Sequence, residues 1–164
     1  MALDAAGLAN GLAAVFKGKP SSGADAAKKI AAEYDTYCKK GQAPPGLPVF
    51  TGVEASALEG PLASAMGSPN GSAEAVAAAF AQGLKAYWLA PPVPFSGGPA
   101  TGVVTAMPGA DAVIGPITSA LKNTSNTEEA IGGSIASALD AATKTVLVTY
   151  STPTPGTPPP ATVI

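Results

Sequence analysis

The chain has 164 residues, rich in alanine (35), glycine (19) and proline (17), and carries nine lysines against eleven acids for a net charge of −2. That length suits one domain, against a prior of about 150 residues per domain. With no histidine and one cysteine, the usual transition-metal cages and Ser–His and Cys–His pairs are out of reach, and nine lysines without arginine argue against the dense basic face of a nucleic-acid binder.

The first apolar pattern predicts a helix from Asp4, a natural cap, to Phe16, with Leu8, Leu12, Val15 and Phe16 on one stripe. Lys17-Gly18-Lys19-Pro20 stops it. A second helix is expected over Gly23–Lys39, with Ala27, Ile30, Tyr34, Tyr37 and Cys38 broadly on one face and Gly41 beyond its end. Lone Cys38 cannot form a disulfide within the chain and reads as a buried apolar residue. Gln42–Gly52 is a proline-containing linker from which Val49 and Phe50 are placed to dock on the core.

A third helix is expected over Val53–Met66, broken or kinked at Pro61. The fourth, Ser72–Leu89, has the clearest apolar face, in Val76, Phe80, Leu84, Tyr87 and Trp88; Pro91, Pro92 and Pro94 end it. The stretch Pro91–Pro108 leaves two readings open, a surface crossing or one short strand around Val103-Val104. Helices five and six are expected at Ala110–Lys122 and Thr127–Thr143. Gly132-Gly133 should weaken the sixth by roughly 1 kcal/mol per glycine relative to alanine, and their small size would permit a close helix contact. Val146–Tyr150 has strand composition without an obvious partner. Ser151–Ile164 carries five prolines and reads as an extended tail.

These helices repeat. A shift of 50 residues carries Leu8, Leu12, Phe16, Ser22, Ile30, Tyr34, Tyr37 and Cys38 onto Leu58, Leu62, Met66, Ser72, Phe80, Leu84, Tyr87 and Trp88. A further 55 carries Leu58, Leu62, Met66, Ser72, Phe80 and Leu84 onto Val113, Ile117, Leu121, Thr127, Ile135 and Leu139, and Gly60-Pro61 onto Gly115-Pro116. Each copy is an apolar helix, a polar turn, a Ser/Thr cap and a second helix with acids in its first turn. The expectation is an all-α fold of three tandem αα-hairpins (3–40, 53–89, 108–145) within a domain 1–150. Proline-rich linkers, one short strand at 146–150 and a 151–164 arm complete it.

No P-loop spacing is present, and the acids sit singly or at helix starts, where capping and solubility explain them. No catalytic residue, metal or cofactor is expected. No window is long and apolar enough to span a membrane. The opening Met-Ala-Leu-Asp-Ala-Ala-Gly-Leu, the alanine-rich hairpins and the Thr-Pro-Thr-Pro-Gly-Thr-Pro-Pro-Pro tail resemble small structural virion proteins of tailed bacteriophages. The resemblance implies a non-enzymatic tail, baseplate or neck accessory, present in multiple copies among other virion structural proteins and assembled in the host cytoplasm. Neither nucleic acid nor membrane is an expected partner. Candidate partner contacts are Tyr87, Trp88, Phe95, Val148, Tyr150, Pro158, Pro159 and Pro160. Two other readings stand beside it: a helical module holding an apolar ligand near Tyr37, Tyr87 and Trp88, and a secreted bacterial helical-hairpin interaction protein.

Overall fold

The computed structural model describes residues 3–43, 47–48, 55–89, 94–95, 101–151 and 161–162; in the short strands outside 103–149 only the backbone is described. Linker residues Val49 and Phe50 and the prolines Pro158 to Pro160 lie outside the described residues. The protein is all-α, with two small antiparallel sheets among the described residues. Its helices are α1 (Ala5–Lys17), α2 (Gly23–Cys38), α3 (Ser56–Gly67), α4 (Ala73–Leu89), α5 (Ile114–Lys122) and α6 (Glu128–Thr143). They form three hairpins, α1–α2, α3–α4 and α5–α6.

The caps fall in the expected register. Asp4 accepts from the Gly7 N–H at 2.8 Å. Ser22, Ser72 and Thr127 accept from the N–H groups of Asp25, Ala75 and Ala130, each three residues on. Such a bond satisfies a helix-start donor that has no partner within the helix.

Two local expectations change. α3 begins five residues before Pro61 and runs unbroken past it, so of the two alternatives, a break or a kink, the break is excluded. In the third hairpin a 3-10 turn, Pro108–Val113, leads into α5, which places Pro116 in the first turn, where a missing N–H is tolerated best.

Each helix packs on its neighbours in sequence, and α6 packs closely on α1, so the six close into a ring. Equivalent positions of the three hairpins share one burial pattern. Leu8, Leu58 and Val113 are buried, as are Leu12, Leu62 and Ile117, then Ile30, Phe80 and Ile135, and Tyr34, Leu84 and Leu139. Phe16, Met66 and Leu121 are partly buried against that core. A single chain thus approximates three-fold symmetry, because three similar apolar hairpins bury their faces against one another.

Strands β1 (Gln42–Ala43) and β2 (Leu47–Pro48) pair antiparallel after α2. The second sheet has the order β3 (Pro94–Phe95), β4 (Thr101–Ala106), β5 (Leu147–Ser151), β6 (Ala161–Thr162), antiparallel throughout. The strand expected near 146–150 therefore has its partner in β4, with Val104 opposite Val148 and both buried. Alternation sends Val103, Thr105 and Thr149 outward, where the two threonine hydroxyls meet at 3.3 Å. The expected tail starts inside β5, and its Ala161–Thr162 returns to the sheet edge.

Candidate functional site: the central aromatic relay and the outer grooves

The inner helices α2, α4 and α6 meet through large side chains. Trp88 Nε1–H donates to Tyr34 Oη at 2.9 Å. Tyr34 and Thr143 share a hydrogen bond of 2.7 Å, and the Thr143 hydroxyl donates to the Leu139 carbonyl at 2.7 Å. Since the Thr143 proton is used on Leu139, Tyr34 donates to Thr143. One relay, Trp88 to Tyr34 to Thr143, thereby joins all three hairpins at their buried centre. Tyr87 packs edge-on against Tyr34 and Trp88, with ring centroids 5.3 and 5.6 Å away. Cys38, the repeat equivalent of Trp88 and Thr143, is fully buried, and burial raises its thiol pKa so that it stays protonated.

Around this relay the junctions between hairpins repeat. Tyr87 Oη donates to Asp35 at 2.9 Å, joining the second hairpin to the first. The equivalent Tyr37 Oη donates to Asp140 at 2.7 Å, joining the first to the third. The third junction would use Ala142 and Lys85, which cannot make the bond, and Lys85 turns to Asp111 at 2.7 Å instead. A second set follows the same cycle. Lys17 pairs with Glu129, and its equivalent Lys122 pairs with Glu74. At the remaining junction the equivalents are Gly67 and Ala24, and there the backbones touch, Gly23 lying against Met66 and Gly67. The two exposed carboxylates, Glu74 and Glu129, have pKa values lowered by hydrogen bonds from their lysines.

Seven lysines are ion-paired, and among the described residues only Lys19 and Lys28 are outside such pairs. The pairs are exposed on at least one side and contribute little to stability. Their consequence is that charge is cancelled in place, leaving little long-range field to steer a partner.

Each hairpin also presents an outward groove between its two helices, at equivalent positions. The second is lined by Pro61, Ser64, Ala65, Ala79 and Gln82. The third has Pro116, Ser119, Ala120, Ser134 and Ser137 at the same places, and the first has Gly11, Ala14, Val15, Lys29 and Ala32. Their volumes are about 400, 840 and 310 Å³ in that order. Two grooves are neutral and lined by small residues; the first carries Lys29 and Glu33.

Three of the expected contact residues belong elsewhere. Tyr87, Trp88 and Val148 are 1%, 0% and 0% exposed, so they are core residues rather than partner contacts. Their size and apolar character marked them, but interior packing uses both. The ring contacts also fill the space that an apolar ligand near Tyr37, Tyr87 and Trp88 would need. The backbones of Phe95 and Tyr150 lie in β3 and β5. The outer grooves went unnoticed in the sequence, although the repeat shifts align their linings.

Burial raises the pKa of Tyr34, Tyr37 and Tyr87 well above the usual tyrosine value, with Asp140 adding to the effect at Tyr37 and Asp35 at Tyr87. These phenols stay protonated in the folded chain while they ionise near pH 10 when unfolded. The unfolded state then binds fewer protons, so stability is fully present below about pH 10 and lost above it. The expected slope reaches about 1.4 kcal/mol per pH unit for each tyrosine, or about 4 for the three. Denaturant midpoints followed from neutral pH into the alkaline range will test this. Tyrosinate absorbance should meanwhile lag until unfolding for these three of the four tyrosines.

The fold and site together define the class: a pseudo-three-fold ring of three αα-hairpins locked by a buried polar relay. No protein-family model, curated protein or solved structure matches the chain.

Proposed function

We propose that this protein is a structural component of a bacteriophage virion, a tail, baseplate or neck accessory that contacts neighbouring subunits through its helical faces and proline-rich arms. The observation that carries the reading is the repeated exterior. The same outward groove recurs on each hairpin, and the neutral linings of the second and third suit close packing against apolar side chains. In-place pairing of lysines and acids fits contacts made by shape at high local concentration rather than by electrostatic capture. Phage context comes from the sequence resemblance alone.

Mass spectrometry of purified virions is the direct test. Peptides from this chain are expected at multiple copies per particle, persisting through a high-salt wash. Their absence from intact particles, with the chain present in the infected-cell lysate, would overturn the proposal.

A further inference from the structure

The first hairpin is the hub of the ring. Trp88–Tyr34 and Tyr87–Asp35 tie the second hairpin to it, and Tyr34–Thr143 and Tyr37–Asp140 tie the third. Tyr34 stands where the other hairpins have Leu84 and Leu139, and the first hairpin alone carries both halves of the junction bond, Tyr37 and Asp35. The second and third hairpins meet differently. Lys85 and Ala142 occupy the bonding positions there, so no Tyr–Asp bond can form. The pairs that join them, Lys85–Asp111 and Lys122–Glu74, are exposed on both sides. Such pairs contribute little, and salt weakens them. The helix contact itself carries a cost. Where α6 meets α1, Gly132 lies against Ala13, and the repeat shifts place Ala77 of α4 and Thr118 of α5 at the same contact. The Thr118 hydroxyl oxygen is buried with no hydrogen-bond partner among the described residues. Closing the ring there removes a polar atom from water without compensation. Apolar packing of α4 on α5 and on the 3-10 turn is what opposes opening.

We infer that the ring has a seam between α4 and α5, at which it opens short of unfolding. The open form keeps the second, first and third hairpins joined in that order as a row. It hydrates Thr118 and uncovers the apolar faces that α4 and α5 bury against each other. Salt favours it, because both ion pairs of the seam are lost on opening.

Cys38 reports the opening in the full-length protein, since it is the one cysteine of the chain and is fully buried beside Tyr34 and Tyr87. Its labelling by a thiol reagent, in urea too dilute to unfold the chain, is expected to outpace the rate set by global unfolding and to rise with sodium chloride. Lys122→Glu turns attraction to Glu74 into repulsion and should speed labelling severalfold. The equivalent change, Lys17→Glu, does the same opposite Glu129, but at a junction that stays closed in the open form. It should leave labelling unchanged while lowering stability to urea about as much as Lys122→Glu. Thr118→Val removes the unpartnered hydroxyl and keeps the branch, so it should slow labelling at least about fivefold. Equal acceleration by Lys17→Glu and Lys122→Glu overturns the seam, because opening would then have no preferred place. So does labelling that follows global unfolding in every variant, or a Thr118→Val protein labelled as fast as the parent.

Discussion

Trp88→Ala is expected to destabilise the protein by about 3–5 kcal/mol, a large share of the 5–15 kcal/mol typical of a domain. Two losses combine. The largest buried side chain leaves a void between α2, α4 and α6, which the surrounding rings cannot close without leaving their own contacts. Tyr34 Oη also loses its donor at a fully buried position. Urea unfolding will measure the loss, and a midpoint shift of roughly 6–20 °C should accompany it on heating. A second readout localises the damage. Cys38 belongs to the same buried cluster, so a thiol reagent should label it slowly in the native chain and much faster in Trp88→Ala. Trp88→Phe should fall between the two in stability, because it keeps a ring while removing the N–H. Equal stability of Trp88→Ala and the parent would mean that the relay does not hold the ring together.

How much of this was legible beforehand depended on the range of the interaction. Local features were read correctly: the caps at Asp4, Ser22, Ser72 and Thr127, the end of α4 at Leu89, and the stripe Val76, Phe80, Leu84 each depend on neighbours within a few residues. The repeat was legible because the same local features recur in step, and the matching burial at equivalent positions bears it out. Periodicity identifies which face is buried but not what buries it. Thus an apolar face that includes Tyr87 and Trp88 fits a core and a partner surface equally well in the sequence. For β5 the missing partner was β4, more than 40 residues earlier and beyond two helices, with only Val103-Val104 to mark it. Closure of α6 on α1 was hidden for a similar reason. In a chain this rich in alanine and glycine, the small residues that allow close approach look like those that merely face solvent. The candidate grooves share this camouflage: Ser64, Ala65, Ser119 and Ala120 have no chemistry to announce them, and only the aligned shifts bring them together.

Gly132→Ala and Gly133→Ala should move stability in opposite directions, although both remove a glycine from the interior of α6. Helix propensity alone predicts that each is stabilising by roughly 1 kcal/mol. At Gly133 nothing lies within 4 Å of where a Cβ would stand, so that gain should appear in full. At Gly132 the added Cβ would come 2.6 Å from the backbone nitrogen of Ala13 and 2.9 Å from its Cα. Those atoms belong to α1 and cannot rotate away as a side-chain tip could. The helices must separate along the contact that closes the ring, which overpacking commonly makes unfavourable by about 1–3 kcal/mol. The net expectation for Gly132→Ala is a loss of up to roughly 2 kcal/mol after the propensity gain is counted. Gly132→Val should be worse, because its branched side chain adds bulk at the same place and lowers helix propensity. Denaturant unfolding of the variants side by side separates ring closure from helix propensity, since the two glycines are adjacent and share the same helix. Stabilisation by both substitutions would show that α1 and α6 are not held at this distance, and the six helices would then form an open row of hairpins instead of a ring.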